Sequence, residues 1–243
     1  MKRVNIEIDP LGYEVEEELK TLRTNIQFCG DDKKVIMLTS SVPGEGKTST
    51  AINLAITLAE LQKKVILIDA DLRKSVMIAR LKTGKVEKGV SHFLSGQCAL
   101  ADVVLATNIP RFHIMFAGPV TPNPTELLSG ERFKRMLESF RDIYDYIIID
   151  AAPLGLVVDA AIIAQQCDGS IMVIESEAIK YRLAQDVKHK LESSGCPILG
   201  VVLNKVDRKS GGKYYGKYYG KYYGHYYGHE DEDDHAREYD GSL

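Results

Sequence analysis

The chain has 243 residues with a formal net charge of −3, of which 44% are hydrophobic and 27% charged. That suits one globular α/β domain with some length to spare; it supplies no basic field, so no nucleic-acid partner is expected. No apolar run approaches the roughly 18–20 residues that cross a bilayer. The opening MKRVNIEIDP has no apolar stretch behind its charges, so no secretory leader is read, and Cys29, Cys98, Cys167 and Cys196 are scattered without metal-ligand spacing. These features fit a cytoplasmic protein with reduced thiols.

In chain order, residues 14–28 (EVEEELKTLRTNIQF) read as a helix with Leu19, Leu22 and Ile26 on one stripe. A strand is expected at Lys34–Thr39, a helix at Lys47–Leu61, and strands at Lys64–Asp69 and Phe112–Phe116. Then follow a helix at Phe133–Phe140, a strand at Tyr146–Asp150, a helix at Asp159–Gln166, a strand at Ser170–Ile174, a helix at Lys180–Ser193 and a strand at Ile198–Leu203. Most of these strands are apolar along their length, as in a parallel sheet covered on both faces. The fold expected is α/β: a mostly parallel sheet wound with helices on both faces, with ligands at the carboxyl ends of the strands. Beyond Asp207 the sequence turns into the tetrad repeat KYYG-KYYG-KYYG-HYYG at residues 213–228, followed by the acidic stretch HEDEDDHAREYDG. Glycine at every fourth position opposes a helix, and the tract has no aliphatic residue to build a core. The organisation expected is an N-terminal segment (1–33), a nucleotide-binding domain (34–207) and a flexible tail (208–243).

The chemistry begins at Ser40–Thr50, SSVPGEGKTST, after a strand and before a helix. Small residues let backbone N–H groups curl around phosphates, and the helix points its positive end at them. The expected nucleotide contacts are Pro43, Gly44, Glu45, Gly46, Lys47, Thr48 and Ser49, with Lys47 reaching the terminal phosphates and Thr48 placed to ligate Mg²⁺. One departure is visible: Ser41 stands where G-x-x-x-x-G-K-[ST] begins with glycine. A second strand ends in LIDADLRKS, carrying Asp69 and Asp71, and a third in IIIDAAP, carrying Asp150. Carboxylates gathered beside a polyphosphate need a cation, so their convergence argues for Mg²⁺ held by Thr48, Asp69 and Asp150. The last strand runs into LNKVD, where Asn204 is expected at adenine; the same residues match N-K-x-D, which leaves guanine open.

With these motifs in hand, the chain resembles the bacterial tyrosine kinases of capsule and exopolysaccharide systems, most closely the stand-alone kind of Gram-positive bacteria. Gly89–Val104 (GVSHFLSGQCALADVV), Ala117–Phe133 (AGPVTPNPTELLSGERF) and the tyrosine-rich end carry the likeness along nearly the whole chain. The resemblance implies that Asp69 and Asp71 form the modified Walker A′ motif and Asp150 Walker B, followed here by Ala151-Ala152-Pro153 where the family reads Thr-Pro-Pro or Thr-Ala-Pro. It implies ATP as phosphoryl donor, and a homo-oligomer, as a ring, built on Glu17, Lys20 and Arg23. Lysine replaces the first arginine of that motif and lacks its planar fork. It further implies a transmembrane adaptor that recruits the chain to the inner face of the membrane, a cognate tyrosine phosphatase, and control of polysaccharide synthesis or export.

Within that reading Lys47, Asp69, Asp71, Asp150 and Arg73 form the catalytic set. Asp71 accepts the phenol proton and Asp69 joins the metal sphere, or the two exchange; Arg73 stabilises the transferring phosphoryl group. The acceptors are Tyr214, Tyr215, Tyr218, Tyr219, Tyr222, Tyr223, Tyr226 and Tyr227, with Tyr239 further on. Two other classes stay open: a Min- or Par-like nucleotide switch hydrolysing ATP or GTP, and an ATP-binding scaffold weakened at Ala151 and Ala152. Val42 stands where the switch ATPases carry a lysine that reaches across a dimer.

Overall fold

A computed structural model describes residues 2–207, so the tail and its tyrosines lie outside the described residues. Strands β1 (Val35–Ser40), β2 (Val65–Asp69), β3 (Leu105–Ala106), β4 (Phe112–Met115), β5 (Tyr146–Asp150), β6 (Gly169–Glu175) and β7 (Ile198–Asn204) form one sheet in the order β3-β4-β2-β5-β1-β6-β7. Every pairing is parallel except β3 against β4. The central strands are apolar throughout because both their faces are covered. Ile36, Leu38, Leu67 and Ile148 pack with Leu54 and Leu58 of α2 (Lys47–Glu60) and with Ile26 of α1 (Tyr13–Phe28). Their neighbours Met37, Ile66, Ile147 and Ile149 pack on the opposite face, with Phe133 and Phe140 of α6 (Glu131–Arg141), Ile163 of α7 (Asp159–Ala164) and Leu191 of α8 (Tyr181–Ser193). The doubly wound sheet read from the sequence is the observed architecture.

The expected strands are all present within a residue or two of their bounds. Three short helices were not expected: α3 (Met77–Arg80), α4 (Val90–Leu94) and α5 (Pro124–Ser129), together with the two-residue β3. Each is too short to show a helical or strand period, so tertiary packing specifies it. The N-terminal helix buries Leu19 and Ile26 as its stripe requires, and ahead of it Ile6 is buried while the Val4 N–H donates to the Ala106 carbonyl at 2.9 Å. Among the described residues no helix is long and apolar enough to cross a membrane.

The topology sets the site. β5 lies between β1 and β2, and Asp69 and Asp150 are register partners at the carboxyl ends of their strands. The segments leaving β1, β2 and β5 therefore emerge side by side on one edge, as the switch-point rule for open α/β sheets requires.

The opposite edge is tied by Asp168. Its carboxylate accepts the N–H groups of Lys34 (3.0 Å) and Val35 (2.8 Å) and takes Arg141 in a two-pronged pair at 2.7 and 2.9 Å. Asp168→Ala strands two backbone donors and a guanidinium at once, so urea unfolding of this variant should show a loss of about 2–4 kcal/mol with an unchanged m-value. A midpoint equal to that of the unaltered chain would remove Asp168 from this role.

Candidate active site

The phosphate loop between β1 and α2 is braced from within and from behind. Glu45 is buried, and its carboxylate accepts the N–H groups of Ser41 (2.6 Å), Val42 (2.8 Å) and, from β6, Glu175 (3.3 Å). Its side chain thus turns inward and holds the loop, where the sequence led one to expect only a nucleotide contact. From β7, the Asn204 amide nitrogen donates to the Glu45 carbonyl at 2.8 Å, and the Lys205 ammonium donates to the Gly44 carbonyl at 2.8 Å while pairing with Glu175 at 2.9 Å. Because C=O and N–H point opposite ways in a planar trans peptide, drawing these carbonyls toward β7 turns the N–H groups of Glu45 and Gly46 away from it. Gly46 has a φ of 94°, and a Cβ there would lie 1.9 Å from the Asn204 amide nitrogen, so only glycine lets the loop seat on β7. The asparagine and lysine of the N-K-x-D match are thus loop struts, a use that sequence alone did not reveal.

Lys47 is buried and donates to Asp150 at 2.5 Å, with the Thr48 hydroxyl 3.4 Å from its ammonium. Asp69 is wholly buried and accepts the Ser75 hydroxyl and the Asp71 N–H, the latter at 3.3 Å. Burial pushes the Asp69 carboxyl up to about 7, the adjacent Asp150 charge adds to the rise, and Ser75 and Lys47 oppose it. Burial raises Asp150 as well, against the pull of Lys47 and a hydrogen bond from Thr48. Asp71 is nearly buried and caps the turn after β2 by accepting the Lys74 N–H at 3.0 Å. Lys47, Thr48, Asp69, Asp71 and Asp150 are brought together as expected, while Pro43 and Gly44 lie exposed at the loop tip and Ser49 is half-buried in the first turn of α2.

Arg73 is engaged by a residue that the sequence reading did not single out. Its guanidinium, assigned from sequence to the phosphoryl group, is held in a fork by Asp159 at 2.6 and 2.9 Å. Of the oligomerisation residues, Glu17 and Lys20 pair on an exposed face at 2.7 Å, while Arg23 turns inward and donates to the Thr57 carbonyl at 3.1 Å. The segment after Asp150 lacks the family's threonine, but the Thr39 hydroxyl of β1 donates to the Ala152 carbonyl at 2.9 Å and accepts the Leu154 N–H at 3.2 Å. Neither Thr39 nor Asp159 was singled out from sequence; the only signal for Asp159 is an isolated carboxylate in the apolar run GLVVDAAII.

The donor set suits a hard cation shared with a nucleotide: hydroxyl and carboxylate oxygens, with Asp69, Asp71 and Asp150 all buried. Among the described residues no group of three or more His, Cys, Asp or Glu is placed to hold a metal by itself. Mg²⁺ binds through one or two carboxylates together with substrate phosphates and water, so Thr48, Asp150 and Asp69 fit it in that shared mode.

The sequence family described as AAA domain matches residues 33–189. The chain is 46% identical over 192 residues to the tyrosine-protein kinase CpsD of Streptococcus agalactiae serotype III, a stretch that covers 79% of this chain and 83% of the relative. It belongs to the bacterial tyrosine kinase family. Among solved structures, the kinase domain of the Escherichia coli tyrosine kinase ETK superposes with a TM-score of 0.74 at 31% identity, covering 79% of this chain and 77% of that one. The septum site-determining protein MinD of Pyrococcus horikoshii, complexed with Mg-ADP, gives 0.63 at 26% identity over 72% of this chain and 71% of that one. The fold that carries the phosphate loop is thus shared with both groups.

Two measurements test this geometry. Asp69 keeps its proton up to about 7 when folded but releases it near 3.8 when unfolded. The native state therefore binds the extra proton between those values, and stability falls as pH rises through that window. Asp69→Asn should raise the melting temperature of the nucleotide-free chain at pH 8 and flatten its decline between about pH 4 and 7; an unchanged profile would contradict the buried, uncompensated placement. Secondly, a Cβ on Gly155 would sit 2.0 Å from the Ser41 carbonyl oxygen. Gly155→Ala must displace the start of the phosphate loop, and fluorescent-nucleotide titration should show affinity weakened by about tenfold or more, equivalent to ~1.4 kcal/mol.

Proposed function

We propose that the chain is an ATP-dependent protein-tyrosine kinase that phosphorylates the tyrosine cluster in the tail of a neighbouring copy and regulates capsular or exopolysaccharide synthesis or export. The observation that carries the reading is the junction of Lys47, Asp69 and Asp150 at the ends of three adjacent segments, in a chain of this family. Lys47 and the loop N–H groups hold the β- and γ-phosphates. Thr48, Asp150 and Asp69 hold Mg²⁺, which when bound neutralises charge on the phosphate oxygens. The acceptor phenol has a pKa of about 10 and arrives neutral, so a carboxylate that takes its proton late in the transfer assists. Asp71 suits that role because it keeps a little exposure, 8%, where Asp69 has none. The proton passes from the phenol oxygen to a carboxylate oxygen as the phenol oxygen bonds phosphorus and ADP leaves.

The tail, outside the described residues, supplies the acceptors: nine of the chain's thirteen tyrosines lie after residue 213. A chain of 36 residues with random-coil statistics would reach roughly 30–35 Å, enough to enter a neighbour's site. Each phosphate adds about −1.5 to −2 charges, so several together outweigh the positive charge of Lys213, Lys217 and Lys221. The mutual repulsion loosens the oligomer. A transmembrane adaptor that brings copies together at the membrane, and a phosphatase that resets the tail, complete this reading; the family resemblance supports both. A nucleotide switch of the MinD kind is the second reading, favoured by the shared fold and disfavoured by Val42, which cannot supply a cation across a dimer.

Incubation with labelled ATP and mapping of modified residues separates the two. The kinase marks the tail tyrosines, and Lys47→Met lowers that mark by a factor of about 10² or more, in line with losing a charge aimed at the transferring group. Phosphate release without protein labelling would favour the switch instead. Sedimentation before and after ATP should show smaller assemblies once the tail is phosphorylated; unchanged assembly despite heavy modification would remove the release step.

A further inference from the structure

Asp159 is wholly buried, opens α7 and uses both carboxylate oxygens. Oδ2 accepts Arg73 Nε at 2.6 Å; Oδ1 accepts Arg73 Nη2 at 2.9 Å and the Thr125 hydroxyl at 3.0 Å. Arg73 Nη2 also donates to the Thr125 oxygen at 3.2 Å, closing a three-membered cluster. Its members come from three segments that are distant in sequence: the loop after β2, the first turn of α5 and the first turn of α7.

We infer that Asp159, helped by Thr125, is a positioning residue for phosphoryl transfer, fixing Arg73 and through it the loop that carries Asp71 against the Asp150 side of the site. The loop's other polar contacts are short-range: Ser75 to Asp69, Lys74 N–H to Asp71, and Asp71 N–H to Asp69. The Ala70 N–H reaches the Asp150 carbonyl at 2.9 Å, but this tethers only the loop's first residue. Leu72 is buried in the core, an apolar contact that sets the loop's depth and leaves its orientation free. A planar guanidinium held by both oxygens of a buried carboxylate fixes distance and angle together, which is what a transfer sensitive to misplacements of an ångström needs. An ion pair whose arginine is 41% exposed adds little net stability, so the geometry is the more substantial contribution. In this account Arg73 works as a strut and is not a ligand of the transferring phosphoryl group. The inference rests on the kinase reading for its rate effect, though not for the structural role of the strut.

The test is a double-mutant cycle in the full-length chain, with Arg73→Gln, Asp159→Asn and the pair, each checked by circular dichroism. Tail phosphorylation at varied ATP and amide hydrogen exchange of residues 70–76 are measured together. Each single variant should lower kcat about 10–100-fold with the KM for ATP changed by less than about threefold, and the double variant should be no worse than the poorer single one. Arg73→Lys, a point charge without the fork, should recover only part of the rate. Exchange in residues 70–76 should rise in Asp159→Asn. Two results overturn the proposal: wild-type kcat in Asp159→Asn, or additive losses with Arg73→Gln much the more severe, the pattern of a direct phosphoryl contact. If the unaltered chain labels no tyrosine, the kinase reading is what fails; the exchange data still judge the strut, and unchanged exchange rejects it.

Discussion

The buried pair between Lys47 and Asp150 joins the two halves of the site, and the third buried group, Asp69, has no cation of its own. Burial, with the adjacent Asp150 charge adding to it, drives Asp69 up to about 7, and the one ammonium beside these carboxylates does not offset the rise. In water such a pair is worth little, and in an interior its desolvation rivals its attraction. The arrangement therefore makes sense less as a stabilising device than as a site whose electrostatics are completed by ligands. A divalent cation supplies the missing charge, and a polyphosphate gives Lys47 a second partner. The electrostatic deficit at the ends of β2 and β5 favours binding.

That deficit is tolerable because the surrounding backbone is held independently of it. The phosphate loop is braced by Glu45 from within and by Asn204 and Lys205 from β7, all through backbone groups. The segment after Asp150 is held by Thr39 and by the Leu154 N–H, which donates to the Ser40 carbonyl at 2.9 Å. None of these contacts needs a nucleotide. The loop is thus shaped before it binds, so little ordering entropy is charged against affinity.

Much of this was legible in the sequence where the signal is local. The strand YIIID is bounded to the residue because an apolar run ends at a carboxylate, and the phosphate loop announces itself by its small residues between a strand and a helix. The α/β winding follows from alternation alone. What stayed hidden depends on contacts across long separations. The partner of Arg73 is 86 residues away and becomes a neighbour only once β2 and β5 pair in register. The inward turn of Glu45 is a choice of side-chain direction that no spacing encodes. Asn204 and Lys205 matched a base-reading motif, and what the pattern could not say is that β7 delivers them beneath the loop. The helices α3, α4 and α5 were missed for the opposite reason: each is too short to carry a period.

The resemblance to MinD-like ATPases sharpens the question of what separates a kinase from a switch on one fold, since the sheet and the phosphate loop are common to both. Two features of this chain bear on it. Val42, an alkyl side chain in the phosphate loop, offers no cation to a partner subunit's nucleotide. The stretch AGPVTPNPTELL, which carries much of the family likeness, is not a surface ornament: Pro124 and Leu128 are buried, and Thr125 joins Asp159 in holding Arg73. A segment distant in sequence from the phosphate loop therefore reaches the loop that bears Asp69 and Asp71. A switch has only to place a water, which is small and adapts to its site. A kinase must set a bulky phenol in line with a phosphorus atom, and extra scaffolding around the acidic loop is what that stricter requirement calls for.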